Sequence, residues 1–306
     1  MKPYKSNLHR VLANKQFAVT CEIGPPKSPD KQIVEKKAQM LKGYADAYNI
    51  TDNQTGVVRL SSLVSSHHIM NQGIEPIYQL SCRDRNRIAL QSDILGAVSL
   101  GVHNILCITG DHQSIGNHPQ AKGVFDIDSI QLIEIVKNMR DQGIFQNQEP
   151  LQTRFSDLFI GAVCNPFATP YEYRVDRLEK KLRAGSDFIQ TQSVFNLYRF
   201  RKFMNEVCSR GIDKKVSIIA GITPIKSERM LQRMKFHIPG VDIPDEMYHQ
   251  LLDADDFKYE SIKLTIDLIS SIKKIPGVHG IHITALFWES IIPELIRKCG
   301  FYPRPY

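Results

Sequence analysis

The stretch "FAVTCEIGPP", residues 17–26, decides how the rest of the chain is read. Its first seven residues alternate and are rich in β-branched and apolar side chains, the pattern of a strand, and Gly24-Pro25-Pro26 ends any regular structure. The segment behind it, 30–43, has helical period. A strand that hands over to a helix through such a turn is the unit from which parallel α/β folds are built. The same stretch leaves a carboxylate, Glu22, at the point where the strand stops. It is either a solvated loop residue or a group that something at the strand's end requires.

The unit repeats. Strands are expected over 17–23, 45–51, 76–81, 104–109, 157–163, 187–192, 216–220 and 280–284, with helices near 30–43, 59–72, 86–101, 128–142, 171–184, 195–210, 227–236, 256–273 and 288–298. In the helix of 171–184, "YEYRVDRLEKKLRA", Tyr173, Val175, Leu178 and Leu182 are spaced between charges, and Gly185 supplies the stop. Strands alternating with helices pair in parallel through right-handed crossovers, and eight such units close into a (β/α)₈ TIM barrel. An open doubly wound sheet is the runner-up; no strand is followed by G-x-G-x-x-G and no linker splits the chain. The expectation is one barrel domain over 1–306 with an N-terminal helical extension over about 1–15. The longest polar insertion between a strand and its helix, "GDHQSIGNHPQAKGVFD" at 110–126, has the position of a ligand-covering loop.

Composition narrows the function classes. The chain has 306 residues, 42% hydrophobic and 23% charged, as in an ordinary globular protein. The net charge of +7 is spread along the sequence rather than concentrated in a basic stripe, so nucleic acid is not an expected partner and an anionic small molecule is a better one. "KKAQMLK", "EKKLR" and "SIKKIP" read as solvated helix faces. The six cysteines form no CxxC pair, which suggests a reducing cytoplasm. The N-terminal stretch lacks the apolar core of a secretory signal, and no apolar run approaches the roughly 20 residues that span a bilayer.

In a TIM barrel, chemistry collects at the C-terminal ends of the strands. Those ends are Glu22; Thr51-Asp52-Asn53-Gln54; Gln79 with Ser81-Cys82-Arg83-Asp84; Thr109-Gly110-Asp111; Cys164-Asn165-Pro166; Gln190-Thr191-Gln192; Gly221-Ile222-Thr223-Pro224; and His282 with Thr284. One rim is thus rich in uncharged hydrogen-bonding groups and holds a few carboxylates. Any βα loop is polar, and Asp111 can be turn chemistry as readily as a site residue. Gln192, set between apolar stretches in "FIQTQSVF", must find polar partners if buried. His282 in "IHITAL" suits a satisfied core histidine. His112 and His118 flank a glycine loop without a metal-ligand pattern, so no metal is expected, and the adjacent His67-His68 point to different parts of a helix surface.

"VTCEIGPPKSPD", "YNITDN", "YQLSC", "NILCITGDHQS", "AGSDFIQTQSVF" and "AGITPI" resemble, in the same order, the blocks of the flavin-dependent methylenetetrahydrofolate reductases, from about residue 16 to 300. The resemblance implies a (β/α)₈ barrel that binds a flavin at the C-terminal rim. It implies hydride transfer from flavin N5 to 5,10-methylenetetrahydrofolate, giving 5-methyltetrahydrofolate for one-carbon metabolism and methionine biosynthesis. Ring opening of the substrate needs a proton on the departing nitrogen, and Glu22 matches the family's acid. Asp111 matches the carboxylate beside the flavin, with a catalytic part, and Gln192 the amide that reads the pterin. Thr51, Gln79, Thr109, Gly110, Phe125, Gly161, Ala162, Asn165 and Lys181 fall at flavin-contacting positions. Met234 aligns where an aromatic ring stacks on the nicotinamide.

The departures matter. Better-known members have an arginine where Thr109 stands, often a histidine in place of Gln79, and an arginine near Trp288. The change at Thr109 opens FMN as an alternative to FAD, and the loss of the aromatic at Met234 leaves NADH or NADPH as donor in question. The pattern is more similar to reductases of anaerobic one-carbon pathways, some of which receive electrons from a second subunit. The expected partners are therefore tetrahydrofolate and either NADH or an electron-delivering subunit, in an oligomeric cytoplasmic protein. Two other classes stand beside this one: a folate-binding subunit active only with its partner, and a metal-dependent hydrolase built on His112, His118, Asp111 and Glu22.

Overall fold

Eight short segments with extended, apolar-rich sequence pair in order, each with the next in parallel, and the last with the first. In the computed structural model, which describes residues 4–304, these are β1 (Ala18–Ile23), β2 (Ala47–Ile50), β3 (Pro76–Ser81), β4 (Asn104–Ile108), β5 (Phe159–Cys164), β6 (Phe188–Ser193), β7 (Ser217–Ile222) and β8 (Val278–Ile283). They form a closed barrel in the order β1-β2-β3-β4-β5-β6-β7-β8, with Thr20 opposite both Ala47 and His282 at the seam. The expected TIM barrel is the observed one, and each expected strand is found within a few residues of its place.

The period of two sorts the side chains. Outward residues such as Val19, Tyr48, Tyr78, Ile105, Ile160, Ile189 and Ile281 pack under the helices in the main core. Inward residues stack in layers. The lowest holds Ala18, Ala47, Ile77, Leu106, Phe159, Phe188 and Ile219. Gly161 belongs to this interior, since a Cβ there would lie 2.3 Å from the Phe188 ring. Above it sits a polar layer. Asn49 and Gln190 exchange amide hydrogen bonds at 2.6 and 3.1 Å, and Thr20 lies 2.9 Å from His282 Nδ1. Burial pushes the His282 imidazole down to about 3, so it is neutral, the satisfied core histidine that its sequence context suggests.

The N-terminal helix Asn7–Ala13 closes the floor. Leu8, Val11 and Leu12 are buried against the lowest barrel layer, and Ser6 caps the helix by accepting from His9 N at 2.9 Å. Residues 1–3 of the expected extension lie outside the described residues. With the floor plugged, the open end of the barrel is the C-terminal one.

Two features differ from the sequence reading. The helix expected from 59 begins at Ser62, and a helix, Asp245–Leu252, occupies a stretch where none was expected. Its inner residue Leu251 joins Met234, Phe195, Leu231 and Ile243 in a separate apolar cluster. The loop 110–126 folds back over the β2–α connection. Gly116 lies so close that a Cβ would sit 1.9 Å from the Gly56 carbonyl oxygen, and Val58 N donates to Asn117 Oδ1 at 3.1 Å.

Candidate active site at the barrel mouth

Glu22 is the last inward residue of β1, and its carboxyl is half-buried at the mouth. Gln54 Nε2 donates to its Oε1 at 3.2 Å. Lys37, Arg59 and Glu289 line the same small cavity, but their charges are engaged elsewhere. Lys37 pairs with Glu289 and donates to the Gly24 carbonyl at 3.3 Å, while Arg59 donates to the Pro25 carbonyl at 3.1 Å. Burial pushes the Glu22 carboxyl up to about 7, with the Gln54 hydrogen bond working against the shift and Glu289 adding to it. A carboxyl of that kind keeps a substantial protonated fraction at neutral pH and can give its proton up.

That elevation has a stability consequence with a definite sign. The folded carboxyl titrates near 7 and the unfolded one near 4.5, so the fold carries no penalty below 4.5 and loses stability as pH rises through 7. Glu22→Gln should therefore match the parent at pH 4.5 and be more stable at pH 8.5, by about 1–3 kcal/mol once solvent screening is allowed for. Urea unfolding at the two pH values checks this; equal differences at both would refute it.

The second part of the mouth lies over β5 and β6. Lys181, Gln192, Asn165, Arg174 and Arg177 line a cavity of about 370 Å³. Burial lowers the Lys181 ammonium from its ordinary value, and its Nζ donates to the Val163 carbonyl at 2.5 Å. Arg174 Nη1 is buried without a hydrogen-bond partner. Three cationic side chains around one cavity, one with an unsatisfied donor, suit an anionic group such as a phosphate. Thr51 Oγ1, an inward hydroxyl at the end of β2, is likewise buried without a partner. These are features a bound polar cofactor would satisfy, so the residues present fit a flavin.

Asp111 stands exposed at the start of loop 110–126, tied in through its backbone: Arg83 Nη1 donates to the Asp111 carbonyl at 3.2 Å. Arg83 Nη2 donates to the Asn53 carbonyl at 3.1 Å, one residue before Gln54. The loops that carry Glu22's partner and Asp111 are thus held by one buried guanidinium. Gly110, at φ 88°, faces Ser81, where a Cβ would come within 2.3 Å of the hydroxyl. Gln79 is an inward residue of β3 with 9% exposure, and Phe125 stacks with His112 at 6.3 Å between ring centroids.

Other expected site residues are placed elsewhere. Met234 is 4% exposed inside the apolar cluster covered by Asp245–Leu252, and its side chain is not brought to the mouth. Ala162 points outward into the main core, and Gly161 lies under the Phe188 ring, so neither presents a side chain there. Thr109 uses its hydroxyl to accept from Ser129 N at 3.2 Å, at the start of the next helix. His112 accepts locally from Ser114, and among the described residues no group of three or more potential ligands could hold a metal ion. Among the same residues no helix is long and apolar enough to cross a membrane.

The sequence reading also missed contributors. Lys37, read as a solvated cation in a helix face, turns inward to the Gly24 carbonyl. Gln54 and Arg83 stood at strand ends without a role, and nothing local marks Arg174 and Arg177 as cavity residues.

Comparison with known proteins identifies the family. The family model described as methylenetetrahydrofolate reductase matches residues 7–300. A Schizosaccharomyces pombe "Methylenetetrahydrofolate reductase 2" is 24% identical over 79% of this chain and 38% of its own length. A Buchnera aphidicola "5,10-methylenetetrahydrofolate reductase" is 22% identical over 93% of this chain and 92% of its own. The chain spans 38% and 44% of the fission-yeast and Caenorhabditis elegans relatives, less than half of each. Among solved structures, an uncharacterized Clostridium thermocellum protein that binds two copies of 5-methyl-5,6,7,8-tetrahydrofolic acid superposes with a TM-score of 0.70. It is 18% identical, with 95% of this chain and 97% of that one covered, and it shares the fold. The match of the family model over nearly the whole chain, on a barrel whose mouth is built in this way, makes this chain a member of the methylenetetrahydrofolate reductase family.

Proposed function

We propose that the chain reduces 5,10-methylenetetrahydrofolate to 5-methyltetrahydrofolate, with Glu22 as the proton donor and a flavin, FAD or FMN, as the redox group. The observation that carries this reading is the Glu22 carboxyl, raised to about 7 at the mouth of a family barrel. The methylene carbon accepts hydride only after the five-membered ring opens, and opening requires a proton on the departing nitrogen. The protonated fraction of Glu22 that its raised value leaves at neutral pH supplies that proton when a basic nitrogen approaches. A flavin, when bound, supplies the hydride.

The chain's other residues orient and bind. Gln192 offers an amide with both donor and acceptor, the chemistry that reads a pterin edge. Lys181, Arg174 and Arg177 would hold a flavin phosphate, with Thr51, Gly110 and Asn165 as further contacts. Asp111 places a carboxylate near the positive charge that develops on the one-carbon unit. The folate bound by the Clostridium thermocellum neighbour is the product form of this reaction, which supports the reading.

The packing of Met234 favours one refinement. The residue aligned with the nicotinamide-stacking position is inside an apolar cluster, which supports delivery of electrons by a partner protein over direct use of NADH. The test uses protein reconstituted with FAD or FMN and photoreduced under anaerobic conditions. Methylenetetrahydrofolate is expected to reoxidise the flavin within a single turnover, without NADH turnover by the chain alone. Failure to bind either flavin, or a reduced flavin indifferent to the folate, would reject the proposal; steady NADH oxidation would reject the refinement.

A further inference from the structure

We propose that Gln54 is a positioning residue that fixes the Glu22 carboxyl for proton delivery from Oε2, on a turn anchored by Arg83 and loop 110–126. The inference deepens the reading of Glu22 as an acid and rests on it. Gln54 Nε2 donates to Oε1 at 3.2 Å, so in the neutral acid that oxygen is the carbonyl and the proton sits on Oε2.

Gln54 is held there against the backbone's own preference. Asn53 and Thr55, on either side, have φ of 43° and 57°, and Gly56 follows at 68°. Left-handed backbone at two residues with side chains persists only where the surroundings over-determine it. Here they do. The Asn53 carbonyl accepts from Arg83 Nη2 at 3.1 Å and from Gly56 N at 2.9 Å, and Asn53 Oδ1 accepts from Arg59 N at 3.0 Å. Gly116 of loop 110–126 presses on the Gly56 carbonyl at a distance only glycine allows. Arg83 is itself fixed by two hydrogen bonds to Asp84, at 2.8 and 2.7 Å, while its Nη1 holds the Asp111 carbonyl. The loop carrying Asp111 and the turn that aims Gln54 at Glu22 therefore share one anchor.

The charged groups around Glu22 leave this role to Gln54. From the helix Lys31–Leu41 comes Lys37, paired with Glu289 of the β8 loop; from the β2 loop comes Arg59, bonded to Pro25. Lys37 and Arg59 favour the anion at a distance and Glu289 opposes it, but the side-chain hydrogen bond on the carboxyl is the one from Gln54.

The test reads Glu22 directly in ligand-free protein. Its carboxyl infrared band, assigned by its loss in Glu22→Gln, is titrated in the parent, in Gln54→Leu and in Gln54→Glu. Loss of a donor to the carboxylate should move the midpoint up by about 0.5–1 pH unit in Gln54→Leu. Gln54→Glu, of equal length, sets a second carboxyl against the first and should move it further. In both variants kcat for folate reduction should fall severalfold more than KM rises. A midpoint that stays fixed, or that falls in Gln54→Leu because the amide had been accepting the Glu22 proton, overturns the proposal. The titration needs no turnover. A band that responds to Gln54 in a protein without reductase activity would therefore count against the reductase reading alone.

Discussion

Glu22→Gln is expected to bind flavin and folate normally and to accept electrons, while folate reduction falls by about 10²–10⁴-fold, the usual worth of a positioned acid. The amide keeps the size of the carboxyl and can still meet Gln54, so the cavity with Lys37, Arg59 and Glu289 keeps its shape. What it loses is the proton. The pH dependence gives a second signature. Glu22 titrates near 7, so the acid-dependent rate should hold below that value and decline about tenfold per unit above it. The glutamine variant's residual rate should lack this limb. Pre-steady-state reoxidation of reduced flavin by methylenetetrahydrofolate separates this step from electron entry. A variant that loses its flavin, or one that retains parental rates, would show that Glu22 is structural.

The barrel was legible because its evidence is local. Each strand is an apolar or alternating run bounded by turn residues, and each crossover carries helical period, so "FAVTCEIGPP" and its successors announce themselves without knowledge of their partners. The floor-to-mouth polarity was legible for the same reason, since polar residues gathered at one end of every run. Side-chain destinations were not. Lys37 in "KKAQMLK" looks like a surface cation because its partner, Glu289, is 252 residues away in sequence. The burial of Met234 was hidden by a linked omission. Its helix shows an apolar face, which sequence alone cannot assign to a ligand or to another element. The element that covers it, Asp245–Leu252, is an eight-residue helix in which Met247 and Leu251 are the chief periodic signal. Thr109, just after β4, gives its hydroxyl to the start of the next helix as an acceptor, a geometry that no spacing rule announces. Gln54 was equally hidden, because its aim depends on a left-handed turn held by Arg83 and Gly116 from two other loops.

The largest expected loss of stability lies at the opposite end of the barrel. Arg304 closes on Asp46 through two hydrogen bonds, Nη2 to Oδ2 at 2.6 Å and Nε to Oδ1 at 3.1 Å, with side chains only 7% and 0% exposed. Asp46 Oδ2 also accepts from Val19 N at 2.8 Å, and Arg304 donates to the Phe17 carbonyl at 2.9 Å. The pair therefore fastens the C-terminal segment to the entry of β1 and the residue before β2. Burial pushes the Asp46 carboxyl up and Arg304 pulls it back. Arg304→Met removes the pull and leaves a buried carboxylate uncompensated, at a cost of about 3–5 kcal/mol at neutral pH. The loss should itself depend on pH. Without Arg304 the folded Asp46 titrates still further above its unfolded value, so the variant's deficit shrinks as pH falls and grows as pH rises through that folded value. Arg304→Met with Asp46→Asn removes the stranded charge and should recover part of the loss, because a neutral amide can still serve Val19 N. Urea unfolding of the three proteins at pH 5 and pH 8 decides the matter. A single-variant loss under about 1 kcal/mol, or a double variant no better than the single, would mean that the pair adds little and that the core beneath holds the floor unaided.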